Sequence, residues 1–132
     1  MPEGTLVLAP LLRGLASTNQ LDEADRIIAD VGASHTLAPW MLDRLRADTR
    51  LDAESPVVLH DAARRLAKLA ADESLPLVHR AEVWHNLGTA LDRLRKRAGA
   101  ILCFERASAL NPLLDAAREE LERLQAPKPA PT

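Results

Sequence analysis

The stretch "AEVWHNLGTALDRLRKRAGAILCFERASALNP", residues Ala81–Pro112, decides the fold of this chain. Only 2% of the residues are aromatic, yet this stretch contains Trp84 and the only phenylalanine, Phe104. It also places Gly88 inside a helical pattern, where a glycine costs about 1 kcal/mol relative to alanine. A helix that retains such a residue needs tight packing at that point. The stretch therefore predicts two closely packed helices joined by a short turn.

Large and small residues recur in this stretch at regular spacing. Trp84, Leu87 and Leu91 lie at i, i+3 and i+7, which places them on one stripe of the first helix. The small residues allow the two helices to approach, and Phe104 is expected to face the helix that follows. The full set of positions is Trp84, Leu87, Gly88, Leu91, Ala100, Phe104, Ala107 and Pro112. We expect all of them to have a structural role.

This pattern resembles the tetratricopeptide repeat, a helix–turn–helix unit of roughly 34 residues with the motif W-x2-L-G-x2-Y, then A-x3-F, then P. The resemblance covers residues 81–114, and Leu91 stands where the family usually has tyrosine. It implies an all-α fold in which antiparallel helical hairpins stack into an α-solenoid.

The rest of the chain predicts further hairpins of a more degenerate kind. We expect about seven helices in one domain, residues 1–125, with hairpins at 9–31, 37–72 and 78–110 and a capping helix at 112–125. The link at 49–55 is longer than a strict repeat allows. The tail at 126–132 is rich in proline and is predicted to be disordered.

In the tetratricopeptide family the first helix of each hairpin lines a concave groove that binds peptides or helices of partner proteins. The resemblance implies that polar residues of this chain face such a groove: Glu82, His85, Asn86, Thr89, Asp92 and Arg93. Arg13 and Arg44 are further candidates on the upstream hairpins. A non-catalytic protein–protein interaction module is therefore the predicted function, with another protein as partner and no cofactor or metal.

Composition argues against several other classes of protein. The formal net charge is −2, so nothing favours nucleic acid as a partner. No apolar run approaches the ~20 residues of a membrane span. The single cysteine, Cys103, cannot form a disulfide within the chain and fits a small inert core residue. A cytoplasmic protein is expected.

Two alternatives remain open at this level. His35, His60 and Asp61 resemble part of the ligand set of the helical, metal-dependent HD phosphohydrolases. The apolar segment "TLVLAPLLRGL" at residues 5–15 could instead dock on a second copy of the chain, which would make the protein a homodimer or an oligomeric scaffold.

Overall fold

The computed structural model describes residues 21–35 and 37–126, and every regular element in these ranges is a helix. The prediction of an all-α protein is therefore confirmed for this part of the chain. The helices are α1 (Leu21–Ser34), α2 (Pro39–Asp48), α3 (Pro56–Ala70), α4 (Leu77–Arg93), α5 (Arg97–Leu110) and α6 (Asp115–Gln125). The predicted first helix and the tail after residue 126 lie outside the described residues.

The last helix begins later than the sequence predicts. The Asn111–Pro112 pair is typical of a helix start, but the structure places both residues before α6, which begins at Asp115. The side chain of Asn111 accepts a hydrogen bond from the backbone N–H of Leu113 (3.2 Å). This local bond closes a turn, and such turns compete with helix formation. The prediction that the capping helix starts at residue 112 is wrong for this reason.

The closest packing joins helices that follow one another along the chain, from α1 against α2 to α5 against α6. The main apolar core is formed by residues from each of the helices α2 to α5. It contains Leu66 and Leu69 of α3 and Val83 and Leu87 of α4. Smaller clusters continue it at both ends. One joins α1 to α2, and the other joins α5 to α6 around Phe104.

Gly88 and Phe104 make a close contact between α4 and α5. A Cβ atom added at Gly88 would lie only 2.8 Å from Cε1 of the Phe104 ring. The ring is fully buried and also packs in a cluster with Leu124 of α6. Ala100 and Ala107 are fully buried as well. Small residues therefore surround the buried ring at this point.

The turn between α4 and α5 is short and is closed by backbone hydrogen bonds. The N–H of Lys96 donates to the carbonyl of Leu91 (2.8 Å), and the N–H of Arg95 donates to that of Asp92 (2.9 Å). These are the two bonds of a Schellman motif. Arg95 occupies the position that favours glycine and has a φ of 62°. The turn reverses the chain so that α5 runs back along α4.

The link between α2 and α3 is part of the core rather than a surface loop. Thr49, Leu51 and Ala53 are buried, and Arg50 is only 6% exposed. Its guanidinium pairs with Asp25 of α1 (2.7 Å) and with Asp61 of α3 (2.9 Å). A third bond reaches the Arg46 carbonyl at the end of α2 (2.6 Å). One buried cation therefore ties three helices together.

The pKa of Asp61 is lowered in this environment. Burial alone would raise it, but hydrogen bonds from Arg65 and Arg64 and the charges of Arg65 and Arg50 outweigh that effect. A carboxyl group with a lowered pKa in the folded state stabilises the fold above the pKa of the unfolded chain, which is about 3.9. That contribution is lost as the pH falls through the lower pKa of the folded state.

We expect Gly88→Ala to lower the free energy of unfolding by about 1–2 kcal/mol, because overpacking against the Phe104 ring outweighs the gain in helix propensity. Gly99→Ala is the matched control. A Cβ there meets only the end of the Leu91 side chain, at 3.2 Å. This control should be neutral or stabilising by up to about 1 kcal/mol. Urea unfolding followed by circular dichroism measures both, and an unchanged Gly88→Ala variant would contradict the close contact.

Replacing Arg50 by methionine should lower the free energy of unfolding by about 2–4 kcal/mol, because Asp25 and Asp61 each lose a buried cationic partner. Arg64→Met is the control: Arg64 also pairs with Asp61, but its side chain is 74% exposed. Arg64→Met should change the free energy of unfolding by less than about 0.5 kcal/mol. The loss of stability below about pH 4 should also be shallower in Arg50→Met, since Arg50 helps to lower the pKa of Asp61. Equal effects of the two variants would refute a special role for Arg50.

Candidate functional site

The polar side of α4 contacts α2 through two side-chain bridges. Glu82 forms an ion pair with Arg44 (2.6 Å), and the Asn86 amide donates to the Asp48 carboxylate (3.0 Å). Arg44 also lies 3.2 Å from the Nδ1 atom of His79. The predicted candidates Glu82, Asn86 and Arg44 are therefore brought together. They lie on facing sides of two helices that are separated in sequence by α3.

The far end of the same side of α4 contacts two other parts of the chain. Asp92 pairs with Arg123 of α6 at 2.6 Å. The exposed Arg93 donates a hydrogen bond to the Leu51 carbonyl in the α2–α3 link. Polar contacts of α4 thus reach α2 at one end and α6 at the other.

His85 and Thr89 lie between these contacts. Thr89 donates its hydroxyl to the His85 carbonyl (3.2 Å), and His85 Nδ1 lies 3.3 Å from the amide oxygen of Asn86. The His85 ring stacks at a tilt on the Phe104 ring, with 5.3 Å between centroids. His85 is therefore held by the apolar core on one side and by polar neighbours on the other.

We call this surface the polar face. It consists of the predicted residues Glu82, His85, Asn86, Thr89, Asp92 and Arg93, with their partners Arg44, Asp48 and Arg123. The ionic groups among them are three arginines and three carboxylates, so the formal charges cancel. Apart from the exposed Arg93 and Arg123, its members are half-buried. Such a face offers hydrogen-bond donors and acceptors in fixed positions, but its electrostatic potential is not dominated by charge of one sign.

Two members of the polar face are absent from the sequence-based prediction. Asp48 follows Arg44 by four residues, and the two form an ion pair within α2 (3.4 Å). That spacing is a readable signal for a shared helix face. Arg123 carries no comparable signal, because its pairing with Asp92 depends on how α6 docks.

The residues of the metal-site alternative do not come together as ligands. His35 and His60 are exposed, and the Asp61 carboxylate is bonded to Arg50, Arg64 and Arg65. Within residues 21–35 and 37–126, no three histidine, cysteine, aspartate or glutamate side chains are placed to hold a metal ion. The HD-like alternative therefore has no ligand set in this part of the chain.

Comparisons with known proteins do not assign this chain to a family. No protein-family model, curated protein or solved structure matches it. Within the described part of the chain, no helix has both the length and the apolar character needed to cross a membrane.

Cys103 lies in the main core on α5 and is 4% exposed. Burial raises the pKa of its thiol to about 11, although the charge of Arg106 acts in the opposite direction. A thiol with a raised pKa is a poor nucleophile near neutral pH, because the thiolate is the reactive form.

We therefore expect the native protein to react with Ellman's reagent at about pH 8 at least 100-fold more slowly than the urea-unfolded chain. The measurement is the increase in absorbance with time, with and without denaturant. A native rate close to the unfolded rate would show an accessible thiolate and would reopen a catalytic role for Cys103.

Proposed function

We propose that this protein is a tetratricopeptide-like array of helical hairpins that binds another protein through the polar face. The observation that carries the proposal is the set of bridges from α4 to both α2 and α6. In the proposed array α2 and α4 are the first helices of successive hairpins, and the capping helix α6 takes the corresponding position after α5. These three helices line the concave side. The sequence pattern of residues 81–114 supports the same assignment.

The chemistry of the polar face suits a polypeptide better than a small molecule. It is neutral overall, half-buried and held in place by its own bridges, so its groups are preorganised for hydrogen bonds to a partner. Three adjacent helices at the usual spacing of about 10 Å would span about 20 Å. That distance matches about six residues of an extended peptide.

The experiment compares three forms of the full chain as bait in a quantitative pull-down. One is wild type, one carries Asn86→Ala and Arg93→Glu, and the third is a matched control with Gln125→Ala and Arg118→Glu. The control makes the same chemical changes on α6, where both residues are exposed. Circular dichroism verifies that all three are folded, and calorimetry then measures the affinity of each captured partner.

We expect a partner that binds wild type and control alike and binds the polar-face variant at least about tenfold more weakly, a difference of about 1.4 kcal/mol. Equal capture by all three forms would refute the polar face as the binding surface, and capture by none would refute the interaction module. The alternative of self-association through residues 5–15 stays a prediction, since that segment lies outside the described residues.

A further inference from the structure

A small cleft of about 230 Å³ lies between α4 and α5. It is lined by Arg80 and Trp84 from α4 and by Arg106, Ala109 and Leu110 from α5. Both charged groups in this lining are arginines, so the cleft combines positive charge with an aromatic and aliphatic wall. It is smaller than the roughly 300–1,000 Å³ of typical small-molecule pockets and has room for one or two side chains.

Neither arginine of the cleft forms an ion pair with a carboxylate among the described residues. The guanidinium of Arg106 lies 5.0 Å from the centre of the Trp84 ring, which holds it over the aromatic face. The Nε atom of Arg80 is buried and has no hydrogen-bond partner in the described part of the chain. Asp72 interacts with Arg80 only through its charge, because its hydrogen bonds come from Ser74.

We propose that this cleft binds an acidic side chain, together with an adjacent apolar side chain, from another protein. A buried N–H without a partner is costly and uncommon in folded proteins, so a ligand that accepts from it is favoured. A carboxylate can accept two hydrogen bonds from one guanidinium and suits a pair of arginines. The apolar neighbour would pack on Trp84 and on Leu77, which is 58% exposed and lies on the same helical stripe.

This cleft is distinct from the polar face, and the inference does not depend on the proposed function. With 3.6 residues per turn, Glu82 and Asn86 lie roughly 160° around α4 from Trp84. A partner could therefore occupy the cleft while the polar face remains free.

A larger cleft of about 560 Å³ between α2 and α3 does not offer the same chemistry. Its lining contains Trp40 and several cations, but Arg64 and Arg65 already pair with Asp61. Asp43 and Asp72 also line it, which reduces its attraction for an acidic group.

The test titrates the full chain with acetylated, amidated tetrapeptides of sequence Gly-Xaa-Glu-Gly, where Xaa is Ala, Leu or Phe. Each has a counterpart with glutamine in place of glutamate. Nitrogen–proton correlation spectra follow the Arg80 Nε–H and Trp84 indole signals. The variants are Arg80→Gln, Arg106→Gln and both together, and Arg118→Gln is the control with the same loss of charge on α6. Asn86→Ala with Arg93→Glu tests independence from the polar face.

We expect the glutamate peptides to shift both signals and to bind at least about tenfold more tightly than their glutamine counterparts. Each cleft variant should lose most of this binding, whereas Arg118→Gln and the polar-face variant should retain it. If Arg80→Gln fails to fold, the exposed Arg106→Gln still decides the question. Equal binding of glutamate and glutamine peptides, or no shift at all, would overturn the proposal. So would inorganic phosphate that shifts the signals as strongly as the peptides do, because the site would then select charge alone.

Discussion

The contact between Gly88 and the Phe104 ring sets the separation of α4 and α5, and both candidate surfaces are built on that pair. The ring also contacts His85 and packs with Leu124, so one buried side chain positions part of the polar face and the final helix. The cleft lies between the same two helices. A larger residue at position 88 would therefore displace features on both sides of α4.

Arg50 shows a different way of holding helices together. A buried guanidinium satisfied by two carboxylates and a carbonyl is directional, whereas apolar packing tolerates sliding. The link that carries Arg50 is too long for a regular repeat, and the ionic contacts fix its path against α1 and α3. Burial of charge generally adds little net stability compared with apolar residues of the same size. Here the ionic contacts join the first three described helices through directional bonds.

Local patterns predicted helical structure in the described part of the chain, because several helices, such as α1, α3 and α6, have a clear apolar period. The end of α5 at Leu110 agrees with the predicted end of the third hairpin, and Gly88 lies at a close contact with α5. The start of α6 was missed because the Asn111 side chain can close a turn as well as cap a helix. The roles of Arg50 and Arg123 were also missed. Their partners lie 25 and 31 residues away, and no periodicity links such positions. For the same reason, the sequence has no signal for the bridges from the polar residues of α4 to α2 and α6.

The packing of each helix mainly on its chain neighbours has a consequence for how the protein folds. Contacts that are short in sequence require little loop closure before they form, and helical proteins of this kind fold in microseconds to milliseconds. Structure can then begin at the tightly packed α4–α5 pair and spread outward in both directions. The outer helices of the described part would unfold first in denaturant. The α4–α5 hairpin would be the last part to exchange its amide protons with solvent.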